Sequence, residues 1–123
     1  MSFQSLILVF IGGGIGSVLR YMMSQWINSN RFIYVSTLVV NILASFLLGI
    51  FLQKLNQMND QEWIRFLLIV GFCGGLSTFS TFSSENLIMI QQGRIVEAIS
   101  YSLMSILICV ISVWLGFKIL KFT

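Results

Sequence analysis

Eleven charged residues in a chain of 123 leave four stretches with none at all: residues 2–19, 32–52, 66–84 and 98–117. A helix needs roughly 20 apolar residues to cross about 30 Å of hydrocarbon, and each stretch is close to that length. A transmembrane β-barrel would show alternation over about ten residues per strand, whereas these runs are continuously apolar. The pattern predicts an all-α integral membrane protein with four transmembrane helices. They are placed at about residues 3–26, 32–53, 63–90 and 95–119, in a single membrane domain spanning 1–123. Only 9% of the residues are charged and 57% are hydrophobic. A soluble domain carries about 25% charged residues, so this chain could not cover a water-facing surface.

Other classes fall away on composition. The two cysteines, Cys73 and Cys109, sit inside apolar runs, which excludes a disulfide scaffold and suggests inert packing. The basic residues are too few and scattered for a nucleic-acid patch. The first span lacks a basic n-region and three more spans follow it, so it reads as a retained helix, not a signal peptide. With no histidine in the chain, an imidazole base, a His metal site and a Ser-His-Asp triad are all excluded. No enzymatic function is expected.

Four spans put both termini and the connection between the second and third helices on one side. That side carries Lys54, Arg65, Lys118 and Lys121, and the other carries Arg20, Arg31 and Arg94. Orientation follows Lys/Arg asymmetry between short loops, and four against three is almost none. Either other features set one orientation, or the chain inserts both ways and pairs antiparallel. Four short helices enclose little interior, so a route across the membrane calls for a partner chain.

Three polar segments interrupt the apolar runs. The first is GGGIGSVLRY, residues 12–21, in which Gly12 and Gly16, and likewise Gly13 and Ser17, stand four apart. Such a face is stripped to backbone and suits close helix packing. Arg20, one turn beyond, either snorkels to the headgroups or attracts anions to a pore mouth. In the second helix Asn41, Ser45 and Gly49 repeat at spacing four, a stripe for interhelical hydrogen bonds or for lining a pathway. The third segment is GFCGGLSTFSTFSSE, residues 71–85, where six of the eight positions 77–84 are hydroxyl residues and the others are Phe79 and Phe82. It is a poor continuous membrane helix, and a break between Gly74 and Thr78 is expected, with the glycines as its site because the chain has no proline.

A break at membrane depth is tolerated only where it is buried or lines a cavity, and its free carbonyls typically bind cations. Phe79 and Phe82 lie three apart on one face, and an aromatic ring is electropositive at its edge. Two edges can therefore face a small anion, with amide and hydroxyl donors supplying hydrogen bonds. On the fourth helix Tyr101, Ser105 and Ser112 share a face.

With these motifs and the STLVVNILASFLLG segment (residues 36–49), the chain closely resembles the small bacterial fluoride channels of the Fluc family, over essentially its whole length. The resemblance implies an antiparallel dual-topology homodimer in the bacterial plasma (inner) membrane. It would passively export fluoride from the cytoplasm through two pathways around one central structural Na+. By that resemblance the main-chain carbonyls of Gly74 and Ser77 would hold the sodium. Phe79, Phe82 and Asn41 would line the fluoride pathway, with Ser80, Thr81 and Glu85 as the polar part of the third helix. Arg20 would stand near the vestibule, and Tyr101 and Ser105 would join from the fourth helix. Ser77 stands where family members often have Thr, a change that main-chain ligation should survive. Fluoride, the lipid bilayer and a second copy of the chain are the partners implied, and no nucleic acid. The competing readings are a small four-helix multidrug exporter and a non-catalytic membrane assembly subunit. The first would want an intramembrane carboxylate in helix one, and the second has no need of a broken polar helix.

Overall fold

The computed structural model describes residues 2–27, 33–57 and 62–120; Arg31, Asp60 and Lys121 lie outside them. Among the described residues all regular structure is helical. The helices are α1 (Phe3–Ile27), α2 (Ile33–Gln57), α3 (residues 64–76), α4 (Phe79–Gln91) and α5 (Ile95–Ile119). Four helical segments are long and apolar enough to span a bilayer, the third being the α3–α4 pair, Ile64–Gln91. The protein is thus a multi-pass membrane protein.

The first ten residues of α3, Ile64–Cys73, are wound as a π-helix, and the last turn returns to α-helical geometry. Wide turns of this kind leave a local bulge and occur often beside functional sites. The helix then stops at Ser77, whose ψ of 157° is extended, and Thr78 follows at φ −146°, ψ 116°. At the other end of α4, Gly93 takes a φ of +76°, a left-handed value at which a side chain would be strained. That residue turns the chain back into α5, and Arg94 ties the turn down. Its Nε donates to Glu97 Oε1 at 3.0 Å, and its guanidinium stands 5.7 Å from the Tyr34 ring centre.

Lipid and side-chain interior are equally apolar, so helices in a membrane gain little from burying leucines. They associate where small residues let backbones touch. Two such seams hold this bundle. In α1, Gly12 and Gly16 face α3 so closely that a Cβ on either would overlap the carbonyl oxygen of Leu67 or Phe72, and a Cβ on Gly75 would overlap that of Gly13. In the second seam Gly49 of α2 lies against the Val113 carbonyl and Gly116 of α5 against that of Phe46. Between the seams a small core of Val40, Ala44 and Leu76 is sealed by Leu19, Met23, Leu47 and Phe72. Gly14, by contrast, has open space around its Cβ position.

This contrast makes a prediction. Gly16→Val forces an overlap with backbone and should destabilise by about 1–3 kcal/mol or more, seen as a lower thermal midpoint in detergent. Gly14→Ala should be neutral or slightly stabilising, because glycine inside a helix costs roughly 0.5–1 kcal/mol relative to alanine. Equal midpoints for the two variants would contradict the seam.

Candidate functional site

The break between α3 and α4 organises the site. Where the helix unwinds, the Thr78 backbone loses its helical partners, and a single side chain from α2 replaces them. Asn41 Oδ1 accepts from the Thr78 N–H at 2.8 Å, and Asn41 Nδ2 donates to the Thr78 carbonyl at 3.2 Å. Thr78 then caps α4: its Oγ1 accepts from the Thr81 N–H at 3.2 Å and donates to Thr81 Oγ1 at 2.9 Å. Such a cap is worth about 1 kcal/mol. The Ser77 hydroxyl turns back onto the Cys73 carbonyl at 2.9 Å.

The same bonds decide which carbonyls are left over. In a continuous helix the Gly74 and Ser77 carbonyls would accept from the N–H groups of Thr78 and Thr81. Those two N–H groups are instead given to Asn41 and to Thr78 Oγ1. No carboxylate belongs to this segment, and among the described residues no cluster of metal-binding side chains exists. The donor set is main-chain oxygen without formal charge, which suits a monovalent hard cation better than a divalent one.

The break falls within the expected interval but not on its expected residues. Gly74 is helical at φ −64°, ψ −36°, and Gly75 lies in the same turn. The glycines are needed where α3 meets α1, whereas the hydroxyl residues and Asn41 can pair an unwound backbone. Gly75 nonetheless contributes, since its carbonyl accepts from Arg20 Nε at 3.1 Å and from Ser17 Oγ at 3.4 Å. Arg20 is therefore pinned to the end of α3 across the α1 seam.

Thr78 separates two cavities. One, of about 230 Å³, is lined by Asn41, Ser45, Phe79, Phe82, Ser105 and Cys109, along with Ser77, Thr78 and Ile106. The rings of Phe79 and Phe82 lie 5.7 Å apart between centres, and Phe82 meets Tyr101 at 5.2 Å. The other, of about 210 Å³, is lined by Arg20, Thr37, Thr81 and Glu85, among others. Glu85 is only 4% exposed, and hydroxyls hold its carboxyl group: Thr37 Oγ1 donates to Oε1 at 2.6 Å and the Tyr101 hydroxyl to Oε2 at 2.8 Å. Burial of a carboxylate costs heavily unless it is hydrogen-bonded, and these two donors meet that requirement.

The structure thus brings together Asn41, Phe79, Phe82 and Ser105 at the first cavity, and Arg20, Thr81 and Glu85 at the second. Tyr101 lines neither of them but touches both clusters through Phe82 and Glu85. Ser80 lines neither; it is exposed, with its hydroxyl 3.3 Å from that of Thr78. Gly74 and Ser77 flank a third cavity with Ser45 and Cys73. Ser112, placed on the same face as Ser105 by its spacing, bonds back to the Ile108 carbonyl at 2.8 Å and lines neither main cavity.

Two residues outside the expected site carried a signal in the sequence. Thr37 stands four before Asn41 and extends the 41–45–49 stripe by one turn. Cys109 stands four after Ser105. It is half-buried and lines the first cavity, whereas Cys73 is buried.

Comparison with known proteins gives the family. Residues 7–117 match the family described as CrcB-like protein, camphor resistance (CrcB). A relative from Hahella chejuensis, the fluoride-specific ion channel FluC, is 37% identical over 125 residues, covering 98% of each chain. The fluoride-specific ion channel FluC 1 of Yersinia pseudotuberculosis is 41% identical over 107 residues, covering 85% of this chain and 84% of the other. The FluC of Phocaeicola vulgatus is 38% identical over 116 residues, covering 92% and 95%.

Proposed function

The chain belongs to the CrcB-like family, and we propose that it is a fluoride channel of the bacterial inner membrane, not an enzyme. The observation that carries this reading is the first cavity: two phenylalanine rings and an amide converge on it beside a helix break. Fluoride is small and strongly hydrated, so a pathway must replace water's hydrogen bonds without holding the ion too tightly. Hydroxyl and amide donors supply the bonds, while ring edges offer weak positive potential. Asn41, Phe79, Phe82 and Ser105 take these roles at the cavity. Arg20 provides the attracting charge at the neighbouring cavity, where Thr81, Glu85 and Tyr101 continue the polar lining; Ser80 completes the hydroxyl stretch. With an inside-negative membrane potential, worth about 2.3 kcal/mol per charge per 100 mV, passive conduction runs outward.

The exporter reading is weakened because α1 carries no carboxylate. An assembly subunit would have no use for a polar break held by Asn41.

Purified protein in liposomes should release fluoride and retain chloride. Phe79→Ile and Phe82→Ile should each lower the efflux, because an aliphatic group has no positive edge. If a ring edge contributes as aromatic pairs do, about 0.5–1.5 kcal/mol, the loss is roughly two- to twelvefold. Equal fluoride and chloride release by the unmodified protein would sink the channel reading, and unchanged efflux in both variants would remove the rings from it.

The functional unit is taken to be an antiparallel homodimer. Support comes from the near-balance of Lys54, Arg65, Lys118 and Lys121 against Arg20, Arg31 and Arg94. C-terminal reporters active on opposite sides of the membrane should both give signal. Signal from one side alone would exclude dual topology.

The Gly74 and Ser77 carbonyls fit a structural sodium ion, because both have lost their helical donors and no acid is at hand. An unpaired carbonyl in a non-aqueous interior costs several kcal/mol, and such an ion would relieve two of them in each chain. Exchange of all sodium for a large organic cation should lower dimer stability and fluoride efflux together. Both should persist in sodium for Ser77→Ala, whose main chain is unchanged. Efflux that follows a sodium gradient would show instead that the ion is transported.

A further inference from the structure

The turn between α4 and α5 lines neither main cavity, yet its side chains reach the site through two rings. The Arg94 guanidinium is gripped as a fork by Glu97, Nε donating to Oε1 at 3.0 Å and Nη2 to Oε2. Its Nη1 donates to Gln92 Oε1 at 3.2 Å and to the Tyr34 hydroxyl at 3.3 Å. An exposed ion pair adds little stability, but a planar guanidinium held as a fork has a fixed orientation. That fixed group stands 5.7 Å from the Tyr34 ring centre. Tyr34, half-buried in the first turn of α2, presents its ring to Tyr101 at 6.0 Å between centres. Tyr101 in turn meets Phe82 at 5.2 Å and donates to Glu85 Oε2 at 2.8 Å. The Tyr34 carbonyl lies 3.5 Å from the same hydroxyl. A phenol has one hydrogen to donate, and the shorter bond to Glu85 takes it. What Tyr34 offers Tyr101 is therefore its ring.

We propose that Tyr34 is a positioning residue for the anion pathway, clamped by Arg94 and holding Tyr101 in place against Phe82 and Glu85. Its bearing on conduction rests on reading the first cavity as the fluoride route. A tyrosine at the end of a membrane helix ordinarily anchors to the headgroup layer. Here Arg94 uses the hydroxyl and Tyr101 uses the ring. Without the Tyr34 ring, Tyr101 keeps Phe82 as its only ring neighbour among the described residues and is free to tilt away from Glu85. A buried carboxylate would then lose one of its two hydroxyl donors, a costly loss at such a site. Phe82 would lose the ring that sets its angle at the cavity. Among the described residues Arg94 bonds to Glu97, Gln92 and Tyr34 and not to Tyr101, so its effect there passes through Tyr34.

The test reads Tyr101 directly and conduction separately. The chain has three tyrosines, Tyr21, Tyr34 and Tyr101, so full-length protein labelled with fluorotyrosine gives one fluorine resonance for each. Replacing each tyrosine in turn by phenylalanine assigns them. Arg94→Gln should move or broaden the Tyr101 resonance, and the same substitution should leave it unmoved when added to Tyr34→Leu. In liposomes Tyr34→Leu and Arg94→Gln should each lower fluoride efflux, by roughly two- to twelvefold at most, the span of one aromatic pair. Their combination should be no worse than Tyr34→Leu alone, because both act through one contact. Tyr34→Phe, which keeps the ring, should recover most of the efflux lost in Tyr34→Leu. A Tyr101 resonance unmoved by Arg94→Gln, losses that multiply in the double variant, undiminished efflux in both single variants, or a Tyr34→Phe no better than Tyr34→Leu would each overturn the proposal. Absence of fluoride efflux from the unmodified protein would overturn the channel reading instead, while the fluorine resonances still score the clamp.

Discussion

Everything at the centre of this protein depends on one amide. A chain that crosses a bilayer must pair every backbone N–H and C=O within the protein, because hydrocarbon offers no alternative. The break at Ser77–Thr78 violates that requirement, and Asn41 restores it at Thr78 by giving that residue both an acceptor and a donor. The repair fixes α2 to the start of α4, so the helix that supplies the amide also sets the position of Phe79 and Phe82. The same residue serves as interhelical glue and as cavity wall.

The seams explain how so small a bundle can hold a polar interior. Backbone contact through Gly12, Gly16 and Gly75 brings α1 close enough for Arg20 and Ser17 to reach the Gly75 carbonyl. Contact through Gly49 and Gly116 locks α5 against α2. That lock helps hold Tyr101 where its hydroxyl meets Glu85 and its ring meets Phe82. Small residues build the frame, and the long polar side chains act across it.

Much of this was legible in the sequence because lipid imposes simple rules. Charge-free runs of about 20 residues mark spans whatever their packing partners, and a cluster of hydroxyls inside such a run marks a place where the helix cannot be ordinary. The register of the break was not legible. Glycine permits unwinding and equally permits close approach, and only the position of the neighbouring helix shows which use is made of Gly74 and Gly75. Nor did Ser80 reveal its place, since alternation of hydroxyl and phenylalanine carries no information about which hydroxyl faces inward. Thr37 and Cys109 were within reach, as each extends a four-residue spacing already recognised. They were passed over because a β-branched residue and a cysteine in apolar runs read as packing.

The break also sorts charge along the membrane normal, and this follows from its bonds alone. At the end of α3 the carbonyls concentrate partial negative charge, and at the start of α4 the N–H groups concentrate partial positive charge. Arg20 and Ser17 answer the Gly75 carbonyl, while the Gly74 and Ser77 carbonyls have lost their donors to Asn41 and Thr78. On the α4 side the positive end begins at Thr78 and Phe79, which line the first cavity, and no carboxylate lines it. Glu85 is kept one cavity away, with its oxygens occupied by Thr37 and Tyr101. Among the described residues Arg20 makes no ion pair with it, so its positive charge is not cancelled by a carboxylate. One discontinuity therefore produces neighbouring surfaces of opposite polarity, a carbonyl edge at the end of α3 and an N–H edge at the start of α4. A continuous helix of the same composition would offer neither.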